Sequence, residues 1–328
     1  MQKIKFIFFI LAAPFLLVSC QKEEDLWTLP PAGDAKVVTL DMGETYDNAF
    51  YFNLATGVST VRNYDEWDLG FASGADEFQV VMNGGKGIQL YNTHDTDFSK
   101  TTFTASETSP WQWDNPSGNA DSLAFTAWCD GKGKSKLETY IIDLGPQANP
   151  RYKKIQLIKA DAAAYSFRFA GLDNSNMIST SVAKDSTRNF SYYNVELNTK
   201  VDFEPAKQQW DLFFTKYRHV YYDMDPVTPY SVTGVLINTK FAAVTETQTL
   251  KFEDINYEAA SKLSLTSKAD EIGFDWKYFD LSGSGKYSVS EKKIYIIKAG
   301  DVYYKLKFIA FYNDKGIKGA PKFIYQRL

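Results

Sequence analysis

The sequence predicts an all-β protein made of two tandem antiparallel β domains, with at most one short helix. Three observations carry that prediction. The segment Trp67-Asp68-Leu69-Gly70-Phe71 returns as Trp210-Asp211-Leu212-Phe213-Phe214. In each copy large apolar residues stand at alternate positions (67, 69, 71 and 210, 212, 214), the period of a strand with one face in a core. The 328 residues include 24 Phe, 21 Tyr and 7 Trp, and this aromatic load with recurrent Val and Ile favours strands over helices. The apolar runs are short and separated by turn clusters such as Asn83-Gly84-Gly85, Asp130-Gly131-Lys132-Gly133 and Ser282-Gly283-Ser284-Gly285.

Taken in order, the chain opens on Lys3 and Lys5, then an apolar run from Phe6 to Val18, then Leu17-Val18-Ser19-Cys20. A charged start, a short apolar core and a small-residue cleavage site describe a secretory signal over residues 1–19, too short for a membrane span. The Leu-x-Ser-Cys ending resembles the lipobox of bacterial lipoproteins, which implies that Cys20 is acylated and begins the mature chain. An ordinary signal with a chance Cys is the alternative. Acyl chains on Cys20 would hold the protein at a membrane without a spanning helix. The acidic run Glu23-Glu24-Asp25 resembles the surface-export tag of lipoproteins in some Gram-negative anaerobes, or is a solvated tether. Residues 20–35, with Pro30, Pro31 and Gly33, read as the lipidated linker. The expected location is the outer-membrane surface of a Gram-negative bacterium.

From Lys36 the two halves can be laid side by side. Phe50-Tyr51-Phe52-Asn53-Leu54 matches Phe190 to Val195, and the Trp-Asp-Leu segments follow. Gly87 to Thr93 then matches Gly234 to Thr239, and Phe125-Thr126-Ala127-Trp128 matches Phe274-Asp275-Trp276. Tyr140 to Gly145 matches Tyr295 to Gly300, Tyr152 to Leu157 matches Tyr303 to Phe308, and each half closes on an aromatic strand, Tyr165 to Phe169 or Lys322 to Tyr325. Matches in this order indicate a tandem duplication of domain-sized units. The expected domains are 36–185 and 186–328, divided in the polar stretch 173–188. Only Asp254 to Leu263 reads as a helix, with Asp254 as its N-cap.

Each unit resembles the HmuY family of haem-binding lipoproteins. The residues that carry the resemblance are Tyr51 to Gly57 (Tyr-Phe-Asn-Leu-x-Thr-Gly), the two Trp-Asp-Leu strands, Asn83-Gly84-Gly85, Tyr295-Ile296-Ile297-Lys298, Tyr303 to Phe308 and the last aromatic strand. The resemblance implies an all-β fold that grips haem between loops or hairpins and passes it to an outer-membrane receptor. It also implies axial iron ligands drawn from a His pair or a Met pair.

The residues themselves supply few such ligands. The candidates are His219 and Met224 in the second unit, and His94 and Met82 in the first. Alternation from Trp210 puts Tyr217, His219 and Tyr221 on one face, with Arg218, Val220, Tyr222 and Met224 on the other. This makes a candidate pocket wall in which tyrosines stack on a ring and Arg218 pairs with a propionate; a half-exposed strand resting on its neighbours is the alternative. Trp111 and Trp113 are candidates for an exposed platform for a flat ligand or a sugar, or else anchor their loop in the core. Cys129 beside Trp128 reads as a small buried hydrophobe. Catalytic motifs are missing, so no enzyme is expected, and a net charge of −4 without basic blocks argues against nucleic acid. The expected function is capture of haem or another porphyrin for uptake; a module of the same fold that recognises a glycan or a protein partner is the alternative.

Overall fold

The alternating apolar runs of the sequence form twenty strands in a computed structural model that describes residues 31–328 other than 282 and 284. The signal segment 1–19, Cys20 and the first part of the tether lie outside the described residues. In the first half the strands are β1 (Lys36–Thr39), β2 (Asn48–Phe52), β3 (Ser59–Asn63), β4 (Leu69–Ala72), β5 (Val80–Met82), β6 (Gln89–Asn92), β7 (Thr139–Asp143), β8 (Tyr152–Ala160) and β9 (Ala164–Ala170). There follow β10 (Ile178–Ala183), β11 (Phe190–Asn194), β12 (Thr199–Val201), β13 (Leu212–Tyr221), β14 (Thr228–Ile237) and β15 (Ala242–Thr247). The last are β16 (Lys277–Phe279), β17 (Tyr287–Val289), β18 (Ile294–Ala299), β19 (Val302–Tyr312) and β20 (Lys318–Arg327). All pair antiparallel, and residues 32–328 form one compact unit. Among the described residues no helix is long and apolar enough to cross a membrane.

Two sandwiches result. A five-stranded sheet, β10-β9-β8-β7-β6, and a four-stranded sheet, β12-β11-β4-β5, enclose a core containing Leu69, Phe71, Ile142, Ile155, Phe167 and Tyr193. The equivalent pair, β1-β20-β19-β18-β15 and β14-β13-β2-β3, encloses Phe52, Leu212, Phe214, Ile297, Leu306 and Phe323. The strand pairing crosses the division at 185/186. The opening strand of the first half, β2, pairs with the Trp-Asp-Leu strand of the second, β13; the opening strand of the second half, β11, pairs with β4 of the first. Likewise β1 joins the sheet of β20 across the division, whereas β10 pairs with β9 within the first half. Each sandwich therefore takes strands from both halves of the repeat.

The outer faces of the four-stranded sheets are buried as well. Tyr51, Tyr192 and Phe213 alternate with Phe52, Tyr193 and Phe214, and with Phe203 and Trp210 they build a third apolar cluster joining the two sandwiches. Its rings interlock, Tyr51 stacking on Phe213 at 4.1 Å between centroids and meeting Trp210 edge-on at 4.9 Å. Trp67 and Trp210 belong to this cluster, whereas Leu69, Phe71, Leu212 and Phe214 face the sandwich cores. The expectation that Trp, Leu and Phe share one face is thus corrected: each strand begins after the Asp, and the Trp lies before it, out of the two-residue period.

Two further corrections follow from local geometry. The helix is α1 (Tyr257–Ser261), capped by Asn256, whose side chain accepts from the Ala259 amide at 2.9 Å. Asp254 ends a 3-10 turn instead, because an Asx oxygen caps the amide three residues on. The segment matching Gly234 to Thr239 is not Gly87 to Thr93. Asn238 donates to the carbonyls of Lys207 and Trp210 at 2.7 and 2.9 Å, and Asn83 donates to those of Tyr64 and Trp67 at 2.8 and 2.9 Å. Asn83 is therefore the counterpart of Asn238; the β4–β5 hairpin is short and the β13–β14 hairpin long, which displaced the sequence match.

Candidate functional site: a hairpin face and an interior cavity

The long β13–β14 hairpin holds the ligand-type side chains of the second half. His219 is half-buried, its ring edge-on to Tyr221 at 4.7 Å and tilted against Phe274 at 5.0 Å. Tyr221 lies 6.4 Å from Tyr230 of β14. Beyond it the turn exposes Tyr222 and Met224 (57 and 49%), and Val227 and Tyr230 are exposed with them. A second hairpin, β16–β17, exposes Tyr278, Phe279 and Leu281. Its Tyr287 sits close enough to Tyr230 that, after burial, this neighbour is the next cause raising the Tyr287 hydroxyl above its ordinary pKa. Together the hairpins present a run of exposed aromatic and aliphatic side chains, a feature that marks a binding surface more often than a bare strand edge.

The second feature is a cavity of about 270 Å³ beside the aromatic cluster that joins the four-stranded sheets. Tyr51, Trp67, Tyr192, Trp210 and Phe213 form its apolar wall, and Trp113 and Met82 lie at its first-half side. Lys216, Tyr217 and Arg218 line it from β13. Asn83-Gly84-Gly85 closes tightly on that strand: a side chain on Gly84 would meet the Arg218 amide nitrogen at 3.0 Å, and one on Gly85 the Lys216 carbonyl at 2.7 Å. Those two glycines let the backbones touch.

Carboxyl groups in this wall are held by backbone amides. Glu204 accepts from Phe190 N at 2.9 Å, Asn189 N at 3.3 Å and Trp210 Nε1 at 3.2 Å, and burial pushes its pKa up to about 7. Asp114 accepts from Met82 N at 2.6 Å and Ala124 N at 2.8 Å, and burial raises it to about 6. Arg218 donates to the Ile88 carbonyl at 3.1 Å, and burial lowers its pKa against the opposing pull of Asp143 and Asp114. Burial also pushes the Tyr217 hydroxyl well up, followed by the nearby Asp270.

The candidate residues therefore divide. Met82, Trp113, Tyr217 and Arg218 line the interior cavity, and His219, Tyr221, Tyr222 and Met224 lie on the hairpin. His94 and Trp111 belong to neither. His94 is 77% exposed in its side chain, with Nδ1 3.2 Å from Glu138. Trp111 is buried, donates to the Ser106 carbonyl at 2.9 Å and stacks on Tyr152, so it anchors its loop and is not an exposed platform. Met82 is packed in the first core, and Cys129 is half-buried against that core. Tyr278, Phe279 and Leu281 escaped the sequence reading, although an apolar run beside a Ser-Gly turn was a signal. Asn189 and Glu204 carried none, since only sheet packing brings them to the cavity.

The HmuY protein family model matches the chain twice, at residues 45–222 and 186–325. No curated protein matches it. Among solved structures, the apo HmuY analogue of Tannerella forsythia is 12% identical with a TM-score of 0.26, over 91% of this chain and 98% of that one. Apo PinO from Porphyromonas gingivitis is 11% identical with a TM-score of 0.29, over 90% and 97%. A candidate HmuY-like haem-binding protein of Bacteroides vulgatus is 13% identical with a TM-score of 0.20, over 89% and 90%.

Proposed function

Because this chain belongs to the HmuY family, we propose that it is a lipid-anchored surface lipoprotein that captures haem or a related porphyrin for uptake. One observation carries the reading: His219 and Met224 stand on a single hairpin whose neighbour adds exposed aromatic side chains. Imidazole nitrogen and thioether sulfur are donors that haem iron takes from proteins, so the residues present fit the group. Haem would bring the iron and a flat apolar ring. His219 and Met224 would hold the metal, while Tyr221, Tyr222, Tyr230, Tyr278 and Phe279 would cover the ring. Arg218, which the sequence offered to a propionate, is engaged by the Ile88 carbonyl.

Titration of the soluble chain with haemin under oxidising and reducing conditions tests this. A shifted, sharpened Soret band that is lost in the His219→Ala/Met224→Ala variant is expected; an unperturbed free-haemin spectrum at micromolar protein would sink the reading. For the anchor, Cys20→Ala should release the protein from membranes, and protease added to intact cells should degrade the wild type. A module of the same fold that binds a glycan or a protein partner is the second reading. The openness of the hairpin face favours a protein, with Leu281 89% exposed, and a negative haemin result would leave this reading standing.

A further inference from the structure

We infer that the interior cavity is a second binding site, for a flat, uncharged, two-ring aromatic molecule with one hydrogen-bond donor and one acceptor. Its size suits such a ligand. A cavity of ~150 Å³ lined by apolar side chains holds a single benzene ring, and this one is about 270 Å³. Its wall of Tyr51, Trp67, Tyr192, Trp210 and Phe213 offers ring faces and edges for stacking.

Polar recognition comes from three lining residues whose buried atoms have no protein partner: Trp113 Nε1, Asn189 Oδ1 and Tyr217 Oη. Asn189 and Tyr217 are more than nine-tenths buried. The amide orientation of Asn189 follows from its neighbour. Asn238 gives its Nδ2 to two carbonyls, so its Oδ1 must accept, and Asn189 Nδ2 donates to it at 2.9 Å. Asn189 is left with an acceptor and Trp113 with a donor, and each costs free energy while buried unpaired. A ligand carrying a donor and an acceptor would satisfy both.

Charge is already matched in the wall. Glu204 and Asp114 accept from backbone amides, Lys240 pairs with Glu77, Lys216 lies over the Tyr64 ring beside Asp47, and Arg218 donates to the Ile88 carbonyl with Asp143 and Asp114 as its opposing charges. An ionised ligand would meet no free countercharge and would lose its hydration, which selects for a neutral one.

The test compares 2-naphthol with naphthalene, which has the same rings and no polar atom, by calorimetric titration of the soluble chain. Saturable 2-naphthol binding about tenfold tighter than naphthalene is expected, tenfold being about 1.4 kcal/mol. Trp113→Phe keeps a ring and removes the N–H, and should reduce that preference, leaving the part due to Asn189 Oδ1. Val81→Phe, and at the exposed rim Thr239→Phe, should block both probes while leaving the haemin titration unchanged; circular dichroism establishes which variants are folded. Equal binding of the two probes, no saturable binding, or full binding in both folded blocking variants would overturn the inference, whatever haemin does.

Discussion

The Asp211 carboxylate accepts the Leu54 amide hydrogen at 2.7 Å, across 157 residues of chain. Its counterpart, Asp68, accepts from Val195 at 2.7 Å. The Asp of each Trp-Asp-Leu segment thus caps the end of the opening strand supplied by the other half. The recurrence of that Asp is explained by strand exchange: it holds a foreign strand in place.

Asp211→Ala should lower stability by about 1–3 kcal/mol, since it strands a buried amide. Asp68→Ala should cost more, about 3–5 kcal/mol, because Asp68 also accepts from Glu196 N at 3.1 Å and holds Lys86 at 2.6 Å in a nearly dry pair. Urea midpoints measure both, and a smaller loss for Asp68→Ala would contradict the argument.

Cutting the chain at 185/186 should yield two fragments that do not fold separately. Residues 186–328 would leave β13 without β2 and β20 without β1, and residues 36–185 would leave β4 without β11. Dispersed spectra from either fragment alone would refute this; recovery of native circular dichroism on mixing would support it.

Met82→Ala should destabilise by about 2–5 kcal/mol, the cost of emptying a core position, yet leave the haemin Soret band of the folded fraction unchanged. His94→Ala should leave both stability and Soret band within error, because His94 is mostly exposed. Loss of the band in either would move the iron site to the first half.

Glu204 sets a pH dependence. Burial raises its folded-state pKa from 4.5 to about 7, so the folded chain binds a proton that the unfolded chain releases. That stability is full below about pH 4.5 and is lost as pH rises through about 7, on the order of 3 kcal/mol. Asp114, raised from 3.8 to about 6, adds a loss of the same sign at lower pH. Glu204→Gln should flatten the decline near neutrality and raise Tm at pH 8; a variant profile parallel to that of the wild type would refute the assignment.

The sequence by itself determined the all-β class, the repeat and the family, because alternation and short turn-bounded runs are local and survive without knowledge of partners. It also placed Tyr217, His219 and Tyr221 on one face of a strand and Arg218, Tyr222 and Met224 on the other; the hairpin itself came from the structure. Only the tertiary structure decided which strand pairs with which: β2 and β11 carry equally good patterns for either half, and Asp68 and Asp211 hold the exchanged strands at long range once they are paired. Trp67 and Trp210 illustrate the same limit, since their period resembles core alternation until the second layer shows them packed between sheets. The interior cavity was illegible for that reason: Trp113, Asn189 and Tyr217 are far apart in sequence, and a space among them exists only once two sheets have closed over it.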